Sequence, residues 1–314
     1  KASPRWLASS TRFARVRSRK PVAWAGRVVD AMQRGQPYVA IGVVIVLTIP
    51  EPLANLGYRK PETTADVWLD IVTPTRNRPT ELVTQAKRLG PQLFGCDRWI
   101  VVEDASDESP MPVMELTRYL PSLGSLFAIS LIYQRSQYVG GVNRARHVGI
   151  SVARPDAWIV EVDDHDYVSS EALATLREAI VYGASFVYAD CRHRDADGGV
   201  IAVYSKPDYE PFLLTVGLCP CEGFRAYPKR LYDAVGGYRF HGRQGVVGEN
   251  EYPAGDYGLF MRMEQYLGGV GFVHVPSVLA DTHKIPNGIT GQFGQEQEAM
   301  ACKLRAAAQE GRLL

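Results

Sequence analysis

Apolar residues in this chain gather in short runs rich in Val and Ile. Between the runs, the apolar spacing widens to that of an amphipathic helix. Val67–Thr73 (VWLDIVT), Trp99–Glu103 (WIVVE), the run Ser125–Tyr133, Ala157–Val162 (AWIVEV) and Ser185–Ala189 are predicted strands. Helical spacing occupies about Thr80–Leu89, Gly141–Ala153 and Ser170–Tyr182, and Gly90-Pro91 ends the first of these. A further run, Tyr38–Ile49 (YVAIGVVIVLTI), stops at Pro50. It falls short of the roughly 18–20 residues a membrane-spanning helix needs and reads as a buried strand.

Strands alternating with helices of this length predict βαβ units around a mostly parallel α/β sheet flanked by helices. Ligands in such sheets sit beyond the carboxyl ends of the strands. The polar, Pro-containing stretch Arg59–Thr64 reads as a connection. It divides the chain into an N-terminal extension (1–64), a main domain (65–290) and a C-terminal helix (291–314). No internal repeat or low-complexity block is present.

With 46% apolar and 22% charged residues over 314 positions, the composition is that of a folded globular chain and excludes a collagen-like or disordered one. Net charge is +1, but residues 1–35 carry nine Lys or Arg against the single acid Asp30. With Trp6, Phe13 and Trp24 interleaved, this arm reads either as a helix packed on the main domain or as a contact for nucleic-acid phosphates or an anionic surface. The apolar run after it lacks a small-residue cleavage site, so no leader is expected. Five irregularly spaced cysteines make no disulfide framework, which points to a reducing, cytoplasmic setting. Cys219-Pro220-Cys221 with Cys191 and His193 lacks the second clean pair of a structural zinc site, and free thiols are expected.

Two predicted strands end in acids: Glu103-Asp104-Ala105-Ser106-Asp107 and Asp163-Asp164-His165-Asp166. Three carboxylates and an imidazole in four residues repel one another unless a cation sits among them. Hard divalent ions such as Mg²⁺ or Mn²⁺ take oxygen ligands, usually one or two carboxylates plus substrate phosphates. A solvated turn whose Asp164 or Asp166 caps a helix is the other reading.

In this order of elements the chain resembles the GT-A glycosyltransferases, and within them the inverting family-two enzymes, over about residues 67–290. Val72-Thr73-Pro74-Thr75-Arg76-Asn77-Arg78 is similar to the family's opening strand and turn. Glu103–Asp107 stands where the family has Asp-Asp-Gly-Ser-Thr-Asp, and Ala145-Arg146-His147 resembles Ala-Arg-Asn. Asp163–Asp166 matches the Asp-x-Asp position. Phe224–Tyr227 through Val235–Tyr238 resembles the segment before the catalytic acid, and Gly255–Met263 resembles Glu-Asp-x-x-Leu-x-x-Arg. Asp281-Thr282-His283 is similar to the late Arg-x-His.

The resemblance implies a GT-A, Rossmann-like sheet and transfer of a sugar from a UDP- or GDP-sugar to a hydroxyl of a protein, glycan or modified nucleic-acid base. It implies Mn²⁺ or Mg²⁺ on Asp164 and Asp166, with His283 as third ligand. Asp163-x-His165 is the other register of the motif. Pro74, Thr75, Asp104, Arg146 and Asp164 are the implied donor contacts, with Arg144 beside Arg146 as a competitor. Asp256 is the implied general base. Gly255 replaces the family's preceding Glu, so Glu249 or Glu251 is expected to supply that carboxylate. A nucleotidyltransferase on a similar sheet would want a Gly-rich phosphate loop, which Pro74-Thr75-Arg76-Asn77 is not. A non-catalytic nucleotide-sugar or nucleic-acid binding protein would have no need of Asp164, Asp166 and Asp256 together.

Overall fold

The computed structural model describes residues 51–94, 96–106, 130–135, 141–195, 197–210, 212–214, 221, 223–239, 255–283 and 289–310. The basic arm, the predicted strand at 38–49, Cys219, Glu249 and Glu251 lie outside them. Within them a nine-stranded sheet has the order β3-β2-β1-β4-β8-β6-β9-β5, with β7 paired to β6. Its strands are β1 (Leu69–Thr75), β2 (Arg98–Glu103), β3 (Ser130–Arg135), β4 (Trp158–Glu161), β5 (Asp166–Val168), β6 (Phe186–Arg194), β7 (Val200–Tyr204), β8 (Arg225–Pro228) and β9 (Phe272–His283). The helices are α1 (Glu51–Asn55), α2 (Pro79–Leu89), α3 (Val142–Ser151), α4 (Ala172–Val181), α5 (Lys229–Ala234), α6 (Gly255–Tyr266) and α7 (Ile289–Gln309).

β3, β2, β1 and β4 are all parallel. β1, β2 and β4 are buried on both faces, which is why they read as nearly unbroken apolar runs. Ile71, Val72, Trp99 to Val102 and Trp158 to Val160 are fully buried or nearly so. At β8 the direction reverses, and the β6–β9 pair returns to parallel. β1 runs two residues past its predicted end, because Pro74 and Thr75 still pair with Val102 and Glu103. Pro74 is tolerated there because the ladder to β4 has already ended at Val72.

Sequence patterning did not anticipate β5, β7 or β8, nor the last five residues of β6, and gave β9 no bounds beyond a strand leading to His283. β9 contains Pro276, which ordinarily argues against a central strand. The ladder accommodates it by shifting register: Ala189 pairs with Val275, Asp190 with Val278 and Cys191 with Ala280. Cys191 and Cys221 are buried and form no disulfide.

Two buried acids brace the far end of the parallel half. Asp70, inside β1, takes Arg98 Nε at 3.0 Å and the Arg154 guanidinium at 2.5 Å. Asp97 pairs with the buried Arg177 and accepts the backbone N–H groups of Leu69 (3.2 Å) and Phe94 (2.7 Å). α3 lies close on β1 and β2 at Gly149. A Cβ there would stand 2.6 Å from Val72 Cγ1 and 3.1 Å from Val102 Cγ2. Gly149→Ala is therefore expected to lower stability by about 1–3 kcal/mol in denaturant unfolding, overpacking outweighing the gain in helix propensity.

Candidate active site

The carboxyl ends of β1, β2 and β4 meet at one edge of the sheet, and the turns leaving them are tied together. The Asp104 N–H donates to Thr75 O at 2.8 Å, and the Asp104 carboxylate accepts the Gly141 N–H at 2.9 Å, at the N-cap of α3. Asn77, in the left-handed region at φ 55°, donates its N–H to Ser106 Oγ at 3.0 Å. Pro74, Thr75 and Asp104, from two different strands, thus line one buried corner.

Each acid of the turn after β4 has a different environment. Arg146 of α3 holds Asp163 through both oxygens, at 2.5 and 2.8 Å. Burial would raise the Asp163 carboxyl, but Arg146, with help from His165 and Arg225, outweighs it and holds it at about 2. Asp164 is buried; its Oδ2 accepts the Thr75 hydroxyl at 2.8 Å, and its Oδ1 accepts Arg78 Nη1 at 2.9 Å. His165 Nδ1 lies 2.9 Å from that same oxygen. Asp166 is the acid left over. Its nearest ionic neighbour among the described residues is His165 Nε2 at 3.9 Å. Burial and the charge of Asp163 push Asp166 up to about 7. The His165 ring, which burial alone would lower, is raised by Asp164, Asp166 and Asp163.

Asp164, Asp166 and His283 do not come together as one ligand set. Asp166 pairs with Thr282 across the β5–β9 ladder, while Tyr167 pairs with Asp281. Successive residues of a strand point to opposite faces, so Asp166 shares a face with Thr282, and His283 shares the other with Tyr167. The two rings of that second pair are 4.7 Å apart. His283 Nδ1 donates to His165 O at 2.8 Å. No group of three His, Cys, Asp or Glu side chains is arranged as a ready metal cluster among the described residues. Asp166 alone nevertheless suits a hard divalent ion: its oxygens accept no hydrogen bond among the described residues, and its charge wants a cation. Mg²⁺-type sites often use one or two carboxylates and leave the rest to phosphate and water.

Beneath the turn, Glu161 at the end of β4 is fully buried. Its Oε2 receives Arg225 Nε at 3.0 Å and Nη2 at 2.6 Å, and both oxygens lie within 3.0 Å of the Tyr238 hydroxyl. The Tyr227 hydroxyl donates to Oε1. Arg146 Nε approaches to 3.5 Å. Burial would raise the Glu161 carboxyl, but Arg225 and Arg146 outweigh it and lower it. Sequence reasoning gave Glu161, Arg225, Tyr238 and Arg78 no role. The signal for Glu161 was a charge inside the otherwise apolar AWIVEV. Asp256, in the first turn of α6, accepts the Tyr257 N–H at 2.8 Å, and its charge raises the Arg225 and Tyr238 groups further. Arg225 thus stands between Glu161, Asp163 and Asp256.

Residues 70–240 match the profile described as glycosyl transferase family 2. The chain belongs to this family. Its sheet has the expected GT-A architecture, shared with solved structures at low identity. Staphylococcus aureus TarS 1-349 in complex with UDP-GlcNAc is 16% identical, with a TM-score of 0.54 over 76% of this chain and 65% of that one. The mannosyltransferase PcManGT from Pyrobaculum calidifontis, in complex with GDP-Man and Mn²⁺, is 14% identical, with a TM-score of 0.50 over 91% and 70%. A mycobacterial protein aligns at 14% identity and a TM-score of 0.51 over 82% and 79%. The chain spans just under two thirds of the TarS fragment. Comparison with curated proteins gave no match. Family and fold together support a glycosyltransferase. No helix among the described residues is long and apolar enough to cross a membrane.

Replacing Glu161 by Gln leaves the buried Arg225 without the carboxylate it is hydrogen-bonded to, while Arg146 keeps Asp163, and is expected to lower stability by about 3–5 kcal/mol. A carboxyl lowered by folding contributes stability above its unfolded value, about 4.3. That contribution is lost as pH falls through the folded value. Urea unfolding from neutral pH down to strongly acid pH is therefore expected to show a steep acid loss in the native chain and a shallower one in Glu161→Gln.

Proposed function

We propose that this chain is a metal-dependent inverting glycosyltransferase that moves a sugar from a nucleoside-diphosphate donor to an acceptor hydroxyl. The observation that carries the reading is the division of partners in the acidic turn. Asp163 and Asp164 are neutralised by the protein's own cations, and Asp166 is left for one from outside. The donors and the ion named for TarS and PcManGT, UDP-GlcNAc, GDP-Man and Mn²⁺, are of the class this turn suits.

In this reading Pro74, Thr75 and Asp104 hold the base and ribose, the carboxylate accepting from N–H or O–H groups of the nucleoside. Arg146 has its Nη groups on Asp163 and Asn143, so it serves the donor by fixing the turn. Arg78 and Thr75 fix Asp164 in the same way. Asp166 holds the divalent ion, and His165 Nε2, rather than His283, is the nearest nitrogen to join it. When bound, such an ion supplies Lewis-acid neutralisation of the nucleoside-diphosphate leaving group. Asp256 takes the proton from the attacking hydroxyl.

Thermal unfolding with UDP or GDP, with and without Mn²⁺, tests the first half of this reading. One nucleotide is expected to raise the melting temperature in the presence of the metal, by the equivalent of about 2.7 kcal/mol at a hundredfold excess over Kd. Asp166→Asn is expected to abolish the metal-dependent part of the rise. No response to any nucleoside diphosphate with metal present would overturn the reading. For the second half, Asp256→Asn is expected to bind donor normally while turnover falls about 100- to 10,000-fold. Full turnover in that variant would remove Asp256 as the base.

A further inference from the structure

We infer that the Thr282 hydroxyl is the second oxygen this chain offers to a divalent ion at Asp166. The inference rests on Asp166 holding that ion. Thr282 Oγ1 is shielded from solvent and has no hydrogen-bond partner among the described residues. A hydroxyl buried in this way costs free energy, because it has given up water and received nothing in return. Gln85, Ser169 and Ser185 also carry such atoms. Thr282 differs from them in its place, across the β5–β9 ladder from a carboxylate that likewise accepts no hydrogen bond among the described residues. Two orphaned oxygens on one face of a strand pair ask for one cation between them.

The spacing suits a shared ion. Side chains directly opposite in an antiparallel pair leave the same face with Cβ atoms roughly 5 Å apart. Neighbouring oxygens on an octahedral ion, each about 2.1 Å from it, stand about 3 Å from one another. The two-bond reach of Asp166 and the single bond of Thr282 close that difference. The hydroxyl does not donate to Asp166, so the pair is not closed on itself. The Thr282 methyl is packed: a Cβ on Gly223 would stand 3.6 Å from its Cγ2. Gly223, at φ 77°, passes its carbonyl to Arg225 Nη1 at 3.4 Å, so the segment lying on Thr282 is the one that carries Arg225. His283 leaves by the other face and donates to His165 O. A neutral hydroxyl oxygen suits a hard ion, as the Ser or Thr of phosphate-binding loops does for Mg²⁺.

Thermal unfolding of the full chain against Mn²⁺ concentration, at a fixed level of whichever of UDP or GDP stabilises it, tests this. Thr282→Val keeps the shape of the side chain and removes the hydroxyl. It is expected to raise the Mn²⁺ concentration at half-effect about tenfold. Without metal or nucleotide, the same variant is expected to melt at or above the native temperature, since an unpaired buried hydroxyl has gone. Thr282→Ser, which keeps the oxygen, is expected to hold the native half-point. An unchanged half-point in Thr282→Val, with Asp166→Asn still abolishing the response, overturns this inference and leaves Asp166 in place. A metal-free Thr282→Val that melts below the native chain overturns it too, because the hydroxyl then has a partner within the chain. So does a Thr282→Ser that behaves like Thr282→Val. A native chain with no metal-dependent response overturns the role of Asp166 itself, and this inference with it.

Discussion

A carboxylate buried at the end of a central strand must be neutralised by the protein around it, and Glu161 sets that requirement here. Its partners come from both halves of the sheet: Arg146 from the helix over the parallel strands, and Arg225, Tyr227 and Tyr238 from β8 and the segment after α5. The seam where strand direction reverses, between β4 and β8, is thereby bridged by charge as well as by backbone hydrogen bonds. The same two arginines lower Asp163, so the acidic turn rests on the groups that satisfy Glu161. Low local dielectric makes such a network costly when incomplete and rigid when complete.

That rigidity explains how neighbouring acids in one turn differ so widely. A carboxylate held through both oxygens by a guanidinium and one without a hydrogen-bond donor are separated by three residues. Asp163 and Asp166 repel each other, and the ion pair with Arg146 decides which of them keeps its charge easily. The turn is pre-set to offer one carboxylate rather than three.

The parallel half of the fold was legible because burial on both faces writes itself as continuous Val, Ile and Trp. The antiparallel half was not. β9 hides behind Pro276, β7 lies too exposed to be marked by burial, and β5 is three residues long. Among the candidate site residues, Asp104, Asp164 and Asp166 could be singled out because acids at strand ends are visible in one dimension. The separation of His283 from Asp166 could not, since it depends on pairing between segments more than a hundred residues apart. Arg146 could be picked out by motif, yet its partner Asp163 follows only from how α3, packed on β1 and β2, faces the turn that leaves β4.

The register shift in β9 has a consequence for how this strand tolerates change. Between Ala189 and Cys191 the partner strand advances by an odd number of extra residues, from Val275 to Ala280. Each single-residue slip exchanges the two faces of a strand. The bulge therefore acts as a half-turn in the chain: it decides that Thr282 looks toward Asp166 while Asp281 meets Arg192 and Arg194 on the other side. A one-residue insertion or deletion between Pro276 and Leu279 would swap those assignments without touching a site residue. Length, rather than composition, is the inherited quantity in that stretch.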